Sequence, residues 1–190
     1  SSTRPQDLWK RPKNIAVVGT RDISPYGKEW CAKTVAGLAD TQQKPLIVSG
    51  LALGTDICAH RTAIERGLPT IAVMPTGPDA VYPHRHLAFA DHLSSTPGCA
   101  LITDYPPGTS PLPVNFLRRN RIIAGLSHAT VLIESKIKGG GMMTARLAFS
   151  YDRDVFALPG RVDDIRSQGC NRMIAEKIAE PLVSVEGFIK

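Results

Sequence analysis

The feature that most constrains this chain is a recurring unit: a short β-branched apolar run, a turn of small residues, then a stretch with helical spacing. Asn14-Ile15-Ala16-Val17-Val18-Gly19 opens the series as a buried strand, apolar from Ile15 to Val18 and stopped by glycine. Residues 26–40 follow, with Trp30, Val35 and Leu38 set among polar neighbours at helical spacing. The unit returns as strand 45–50 with helix 56–66, strand 70–74 with helix 85–93, and strand 99–103 with helix 115–125. Strand 129–134 with helix 143–151, then strand 154–158 with helix 169–178, complete it. A strand that is apolar at every position has no solvent face, so the sheet is buried on both sides. Parallel strands joined by right-handed helical crossovers satisfy that requirement. The chain therefore reads as α/β and Rossmann-like: a mostly parallel, twisted sheet with helices on both faces. Residues 14–190 are expected to form a single domain behind a polar segment, residues 1–13.

Composition closes other routes. A chain of 190 residues buries roughly 70% of its unfolded surface, enough to stand without staples. The 16 glycines and 15 prolines are scattered, which excludes collagen and coiled-coil readings. No apolar run approaches the ~20 residues of a membrane helix. Arg4, Lys10, Arg11 and Lys13 have no apolar stretch behind them, so no signal peptide is expected. Cys31, Cys58, Cys99 and Cys170 lie far apart with no C-x-x-C pair, and read as reduced thiols of a cytoplasmic protein. With 23 basic and 17 acidic residues the net charge is +6, compatible with a polyanionic partner.

In open parallel sheets, ligands bind beyond the carboxyl ends of the strands. Three loops suit that place: Gly19-Thr20-Arg21, the run from Ser49 and Gly50 through Gly54 and Thr55 to Asp56, and Gly139-Gly140-Gly141 leading to Thr144. Glycine permits close approach and positive φ, and the following helix presents unpaired N–H groups to an anion. The competing reading makes these glycines tight turns and Asp56 or Thr144 a simple helix cap. The segment Asn115-Phe116-Leu117-Arg118-Arg119-Asn120-Arg121 joins an aromatic ring to amides and arginines and contains no acid. Single strands are held that way, bases on the ring and phosphates on the arginines. Phe116 as a core anchor, with the arginines on a solvated face, is the alternative.

Other chemistry finds less support. No strand is followed by G-x-G-x-x-G, and G-x-x-x-x-G-K-[ST] is absent, against a nicotinamide dehydrogenase or a P-loop ATPase. His84-Arg85-His86 and Cys58-Ala59-His60 offer two metal ligands each, without a third or fourth. Ser49 and Ser127 lack a nucleophile elbow. Asp56, Asp79, Asp104 and Glu134 have no spacing that pairs two of them for acid–base work. The chain reads as a non-enzyme with no metal and no cofactor.

Together these motifs resemble the DprA/Smf family of DNA-processing proteins. The resemblance rests on Gly19-Thr20-Arg21, the run 49–56 with Ala59-His60, Asp79-Ala80-Val81-Tyr82-Pro83 and Tyr105-Pro106-Pro107-Gly108. It continues through 116–127, Thr144-Ala145, Val155-Phe156-Ala157-Leu158-Pro159-Gly160 and Gly169-Cys170-Asn171, covering residues 14–183. It implies a single-stranded DNA binder, a homodimer, and partnership with the recombinase RecA in natural transformation and recombination. It further implies that Arg21 grips phosphate, that Phe116 meets a base beside Asn120 and Arg121, and that Gly50, Gly54 and Gly140 shape the pocket. The chain departs from the family pattern at Pro75 and Pro78, at the triple glycine and at Pro113, where some relatives place a lysine. Arg85, Arg119 and Lys138 are the cations that can replace that contact. The resemblance covers the core alone, and does not include the helical domain often placed before it or the winged-helix domain often placed after it. The wider superfamily supplies an alternative, a phosphoribohydrolase or a sensor of nucleotide-derived ligands. Such enzymes are similar in carrying a P-G-G-x-G-T-x-x-E loop at 139–147, but here Thr144 is followed by Ala145-Arg146-Leu147 and no glutamate.

Overall fold

The computed structural model describes residues 13–185, so the polar segment anticipated at 1–13 lies, Lys13 aside, outside the described residues. The strands are β1 (Asn14–Val18), β2 (Leu46–Ser49), β3 (Thr70–Val73), β4 (Ala100–Ile102), β5 (Ala129–Leu132), β6 (Asp154–Ala157) and β7 (Glu180–Pro181). Their order across the sheet is β4-β3-β2-β1-β5-β6-β7, every neighbouring pair parallel. Helices α1 (Pro25–Ala39), α2 (Thr55–Glu65), α3 (Leu87–Ser95), α4 (Pro113–Leu126), α5 (Gly140–Ser150) and α6 (Gln168–Ala175) make the connections.

The alternation of side chains sorts the strands into two cores. Ala16, Val18, Val48, Ile71, Val73 and Leu132 meet Ile123, Ala124, Ala145 and Met173 of α4, α5 and α6. Ile15, Val17, Ile47, Val131 and Ile133 meet Val35, Leu38, Ala59 and Ala63 of α1 and α2. Helix α3 packs Ala90 and Leu93 near Ala72, which points away from the first core. Each fully buried Val, Leu or Ile contributes about 1.5–3 kcal/mol, and a one-residue slip would turn both sets to the wrong faces. The doubly covered parallel sheet therefore matches the sequence reading.

Two elements begin differently from that reading. Helix α5 starts at Gly140 rather than 143, so the triple glycine is its cap and first turn rather than a loop. Glycine lowers helix propensity, which hides this turn in the sequence. Packing explains it: a Cβ at Gly141 would lie 2.8 Å from the Leu132 side chain and 3.2 Å from the Gly19 Cα. The helix expected at 85–93 is a 3-10 turn, His84–His86, running into α3. The short edge strand β7 was not anticipated.

Strand β1 has β2 on one side and β5 on the other, so the strand order reverses between β1 and β5. A crevice opens there beyond their carboxyl ends, as this topology requires.

Candidate functional site

The loop after β1 carries the exposed cation. Thr20 donates its N–H to the Glu134 carbonyl at 2.7 Å, tying the β1 and β5 loops together. Arg21 projects outward, and its guanidinium carbon stands 5.0 Å from the centroid of the Phe116 ring. Helix α1 does not offer its N–H groups to a ligand, contrary to the expectation from the loop pattern. Its N-terminus faces Glu134, which is fully buried and accepts hydrogen bonds from Ser24 N–H at 2.8 Å and Ser24 Oγ–H at 2.6 Å. A carboxylate at a helix N-terminus is stabilised by the helix dipole, so this acid has a structural role.

The loop after β2 is a scaffold. Leu51 is buried with φ +61°, a conformation that a bulky side chain avoids. Two histidines hold it. His60 Nε2 accepts the Leu51 N–H at 3.3 Å, and His86 Nδ1–H donates to the Leu51 carbonyl at 2.8 Å. Because His60 Nε2 accepts, its Nδ1–H donates to Thr70 Oγ1 at 2.7 Å, and the Thr70 hydroxyl in turn donates to the Ile47 carbonyl at 2.9 Å. Burial, helped by the charges of Arg119 and His86, pushes the His60 pKa down to about 3, so the ring is neutral. These histidines therefore grip backbone, and no group of three or more metal-ligating side chains occurs among the described residues.

Asp56 closes the same loop by accepting the N–H groups of Gly50 at 3.2 Å and Ala52 at 3.4 Å. Burial raises its pKa, while the Arg119 charge and the hydrogen bonds from Ala52 and Gly50 pull it back. Gly54 has φ +74°, and a Cβ there would lie 2.5 Å from the Thr20 carbonyl oxygen. That approach lets Thr55 donate both its N–H and its hydroxyl to this same oxygen, each at 3.1 Å. Helix α2 thus spends its terminus on fixing the Arg21 loop.

Only the third loop presents an open helix end among the three. Gly139 is extended and provides no side-chain cap. The N–H groups of Gly140 and Gly141, in the first turn of α5, have no intrahelical acceptor and carry the positive end of the dipole.

These parts surround a cleft of about 370 Å³. Of the residues singled out in the sequence it gathers Gly19, Thr20, Arg21, Asp56, Phe116, Arg119, Asn120, Gly140 and Thr144. Gly50 lines a smaller adjoining cleft that shares Arg21 and Phe116. Arg119 is buried rather than solvated. Its Nη1 donates to the Gly50 and Val73 carbonyls at 2.8 and 2.6 Å, and its Nε donates to Asn120 Oδ1 at 3.2 Å. Burial lowers its pKa and the neighbouring Asp56 opposes that change. Ser49, Gly54, Arg85, Arg121 and Lys138 fall outside the lining of both clefts. Ser49 donates to the Val17 carbonyl, Arg121 pairs with Asp104, Arg85 is exposed on the 3-10 turn before α3, and Lys138 is exposed on the turn before α5.

Sequence reasoning missed Lys136, which lines the larger cleft, and Tyr82, whose ring meets Phe116 edge-on with centroids 5.2 Å apart. Lys136 has no periodic pattern to mark it. Tyr82 did carry a signal: like Phe116, it is an aromatic beside a proline-bearing loop.

A Rossmann-like α/β crevice with an uncapped helix terminus, an exposed arginine and an aromatic ring on one rim has the chemistry to accept an anion and to offer a stacking face. The chain belongs to the DNA recombination-mediator protein A family, whose sequence model matches residues 6–190. It is 41% identical over 170 residues to the DNA processing protein DprA of Streptococcus pneumoniae, covering 90% of this chain and 58% of that protein. It is 39% identical over 162 residues to the protein Smf of Escherichia coli, covering 85% and 42%. The chain spans about half the length of these curated relatives. Among solved structures, it is similar to DNA processing protein A of Helicobacter pylori, described for its single-stranded DNA binding mode. That match has a TM-score of 0.87 at 30% identity and covers 99% of this chain and 83% of the other.

Proposed function

We propose that this chain is a non-enzymatic binder of single-stranded DNA, taking phosphate in the larger cleft and a base against Phe116. The observation that carries this is the approach of Arg21 to Phe116 over that cleft. An exposed cation–π contact is worth about 0.5–1 kcal/mol, whereas a base stacked on an aromatic ring is worth about 1–3 kcal/mol. An arriving base therefore displaces Arg21 from the ring. The freed guanidinium then meets phosphate, beside Lys136 and the N–H groups that open α5. The similarity to the Helicobacter pylori protein, described for its single-stranded DNA binding mode, supports the same reading.

Hydrolysis has less support, because each acid near the cleft is engaged. Glu134 lies under α1, Asp56 accepts backbone N–H groups, and Asp22 pairs with Arg166. A homodimer and a RecA partnership belong to this proposal through the family resemblance. A cytoplasmic setting agrees with the four free thiols, and no helix among the described residues is long and apolar enough to cross a membrane.

Fluorescence anisotropy with labelled oligo-dT, the matching duplex and a panel of mononucleotides tests the proposal. Tight binding of the single strand, weaker binding of duplex and little response to mononucleotides are expected. Saturable mononucleotide binding without affinity for oligo-dT rejects it.

A further inference from the structure

Away from the cleft, helices α1 and α2 pack together with two thiols between them. Cys31 on α1 is fully buried, and its Sγ reaches the Thr55 carbonyl at 3.7 Å. Cys58 on α2 is half-buried, and its Sγ reaches the Lys28 carbonyl at 3.7 Å. Thr55 precedes Cys58 by three residues, and Lys28 precedes Cys31 by three. Each sulfur thus meets a carbonyl about one turn behind the other cysteine, which sets the two sulfurs against each other across the helix contact.

Their environments divide the chemistry between them. A hydrogen bond from Cys31 lowers the Cys58 pKa to about 7, with Thr62 and the Lys28 charge assisting and burial and Glu65 opposing. The same bond, burial and the Asp56 charge raise that of Cys31, which keeps its proton. At neutral pH, then, the accessible member is substantially thiolate, the nucleophilic form, and the buried member is a thiol. The other two cysteines do not compete: burial raises Cys99, and burial with the Glu134 charge pushes Cys170 up to about 12.

We propose that Cys31 and Cys58 are a peroxide-oxidisable pair that closes to an intrachain disulfide between α1 and α2. The Cys58 thiolate attacks one oxygen of hydrogen peroxide, the O–O bond breaks, and Cys58 becomes a sulfenic acid as hydroxide leaves. The Cys31 sulfur then attacks the Cys58 sulfur, forming S–S and breaking S–O. The Cys31 proton departs with the displaced hydroxyl as water. Overall the two sulfurs lose two electrons, and peroxide is reduced to one water and one hydroxide, which takes up the proton that Cys58 released on ionising. The bridge removes the Cys31 contact to Thr55, the residue that holds the Arg21 loop through the Thr20 carbonyl.

Treatment of the reduced chain with hydrogen peroxide, followed by alkylation in denaturant and peptide mapping, tests this. The expected product is one crosslinked peptide pair joining Cys31 to Cys58, two hydrogens lighter than the reduced pair and absent from C31S and C58S. The C31S variant should accumulate a Cys58 sulfenic acid that dimedone captures. No intrachain crosslink, an intermolecular one in its place, or oxidation spread equally over Cys99 and Cys170 overturns the proposal. The unmodified sequence gives a test that needs no buried substitution: in native alkylation at neutral pH, Cys58 should react at least about tenfold faster than Cys99. Equal rates overturn it too.

Discussion

At the scale of single residues, Phe116 and His60 carry opposite kinds of role. Phe116 is half-buried at the cleft, meeting Tyr82 at one edge and the Arg21 and Arg119 cations near its ring. Phe116→Ala should weaken oligo-dT binding by about 1–3 kcal/mol while leaving the salt dependence unchanged. Normal binding with easier unfolding would identify the ring as packing instead. His60 is read through pH. Its folded pKa of about 3 lies below the ordinary histidine value of 6.5, so its contribution to stability is complete above 6.5 and is lost as pH falls toward 3. Within that window the slope from this group is on the order of 1.4 kcal/mol per pH unit. Asp56 has the opposite sign: its raised pKa gives a contribution present below 3.8 and lost as pH rises through the folded value. Urea unfolding from about pH 7 to about pH 5 should show declining stability, and His60→Gln should flatten that decline. An identical pH dependence in the variant would remove His60 from this role.

Elements show which signals a linear reading can use. Strand β1 and its partners are legible because a strand buried on both faces must be apolar at each position. The first turn of α5 is not, since its Gly141 answers to neighbours distant in sequence, Leu132 and the close-packed Gly19. The buried state of Arg119 is hidden for a related reason: its acceptors are carbonyls of Gly50 and Val73, which the sheet brings together. Leu51 shows the same limit, as its left-handed backbone is held by histidines from α2 and from the turn before α3. The open end of α5 yields its own test. A Cβ at Gly140 meets nothing within 4 Å, and the residue lines the cleft. Gly140→Ala should raise stability by about 0.5–1 kcal/mol through helix propensity, yet weaken oligo-dT binding by intruding on the anion. Thermal unfolding and anisotropy check the two halves, and unchanged affinity would move the phosphate away from this terminus.

For the whole molecule, the sheet order is what turns separate motifs into a site. Loops that are far apart along the chain meet because β1 and β5 are neighbours where the strand order reverses. The sequence signals for Gly19, Arg21, Phe116 and Gly140 converge on that cleft, while the cations Arg85, Arg121 and Lys138 do not line it. Charge without topology is a weak guide, since many cations serve solvent or a local acid, as Arg121 does with Asp104. The most direct measurement is the salt dependence of oligo-dT affinity for the unaltered chain and for Arg21→Ala. The logarithm of the affinity should fall with the logarithm of salt concentration by about 0.7 for each phosphate neutralised, and Arg21→Ala should bind more weakly with a slope shallower by about 0.7. A flat response in the unaltered chain, or the same affinity and slope in both, would contradict a phosphate held by Arg21 beside the Phe116 ring.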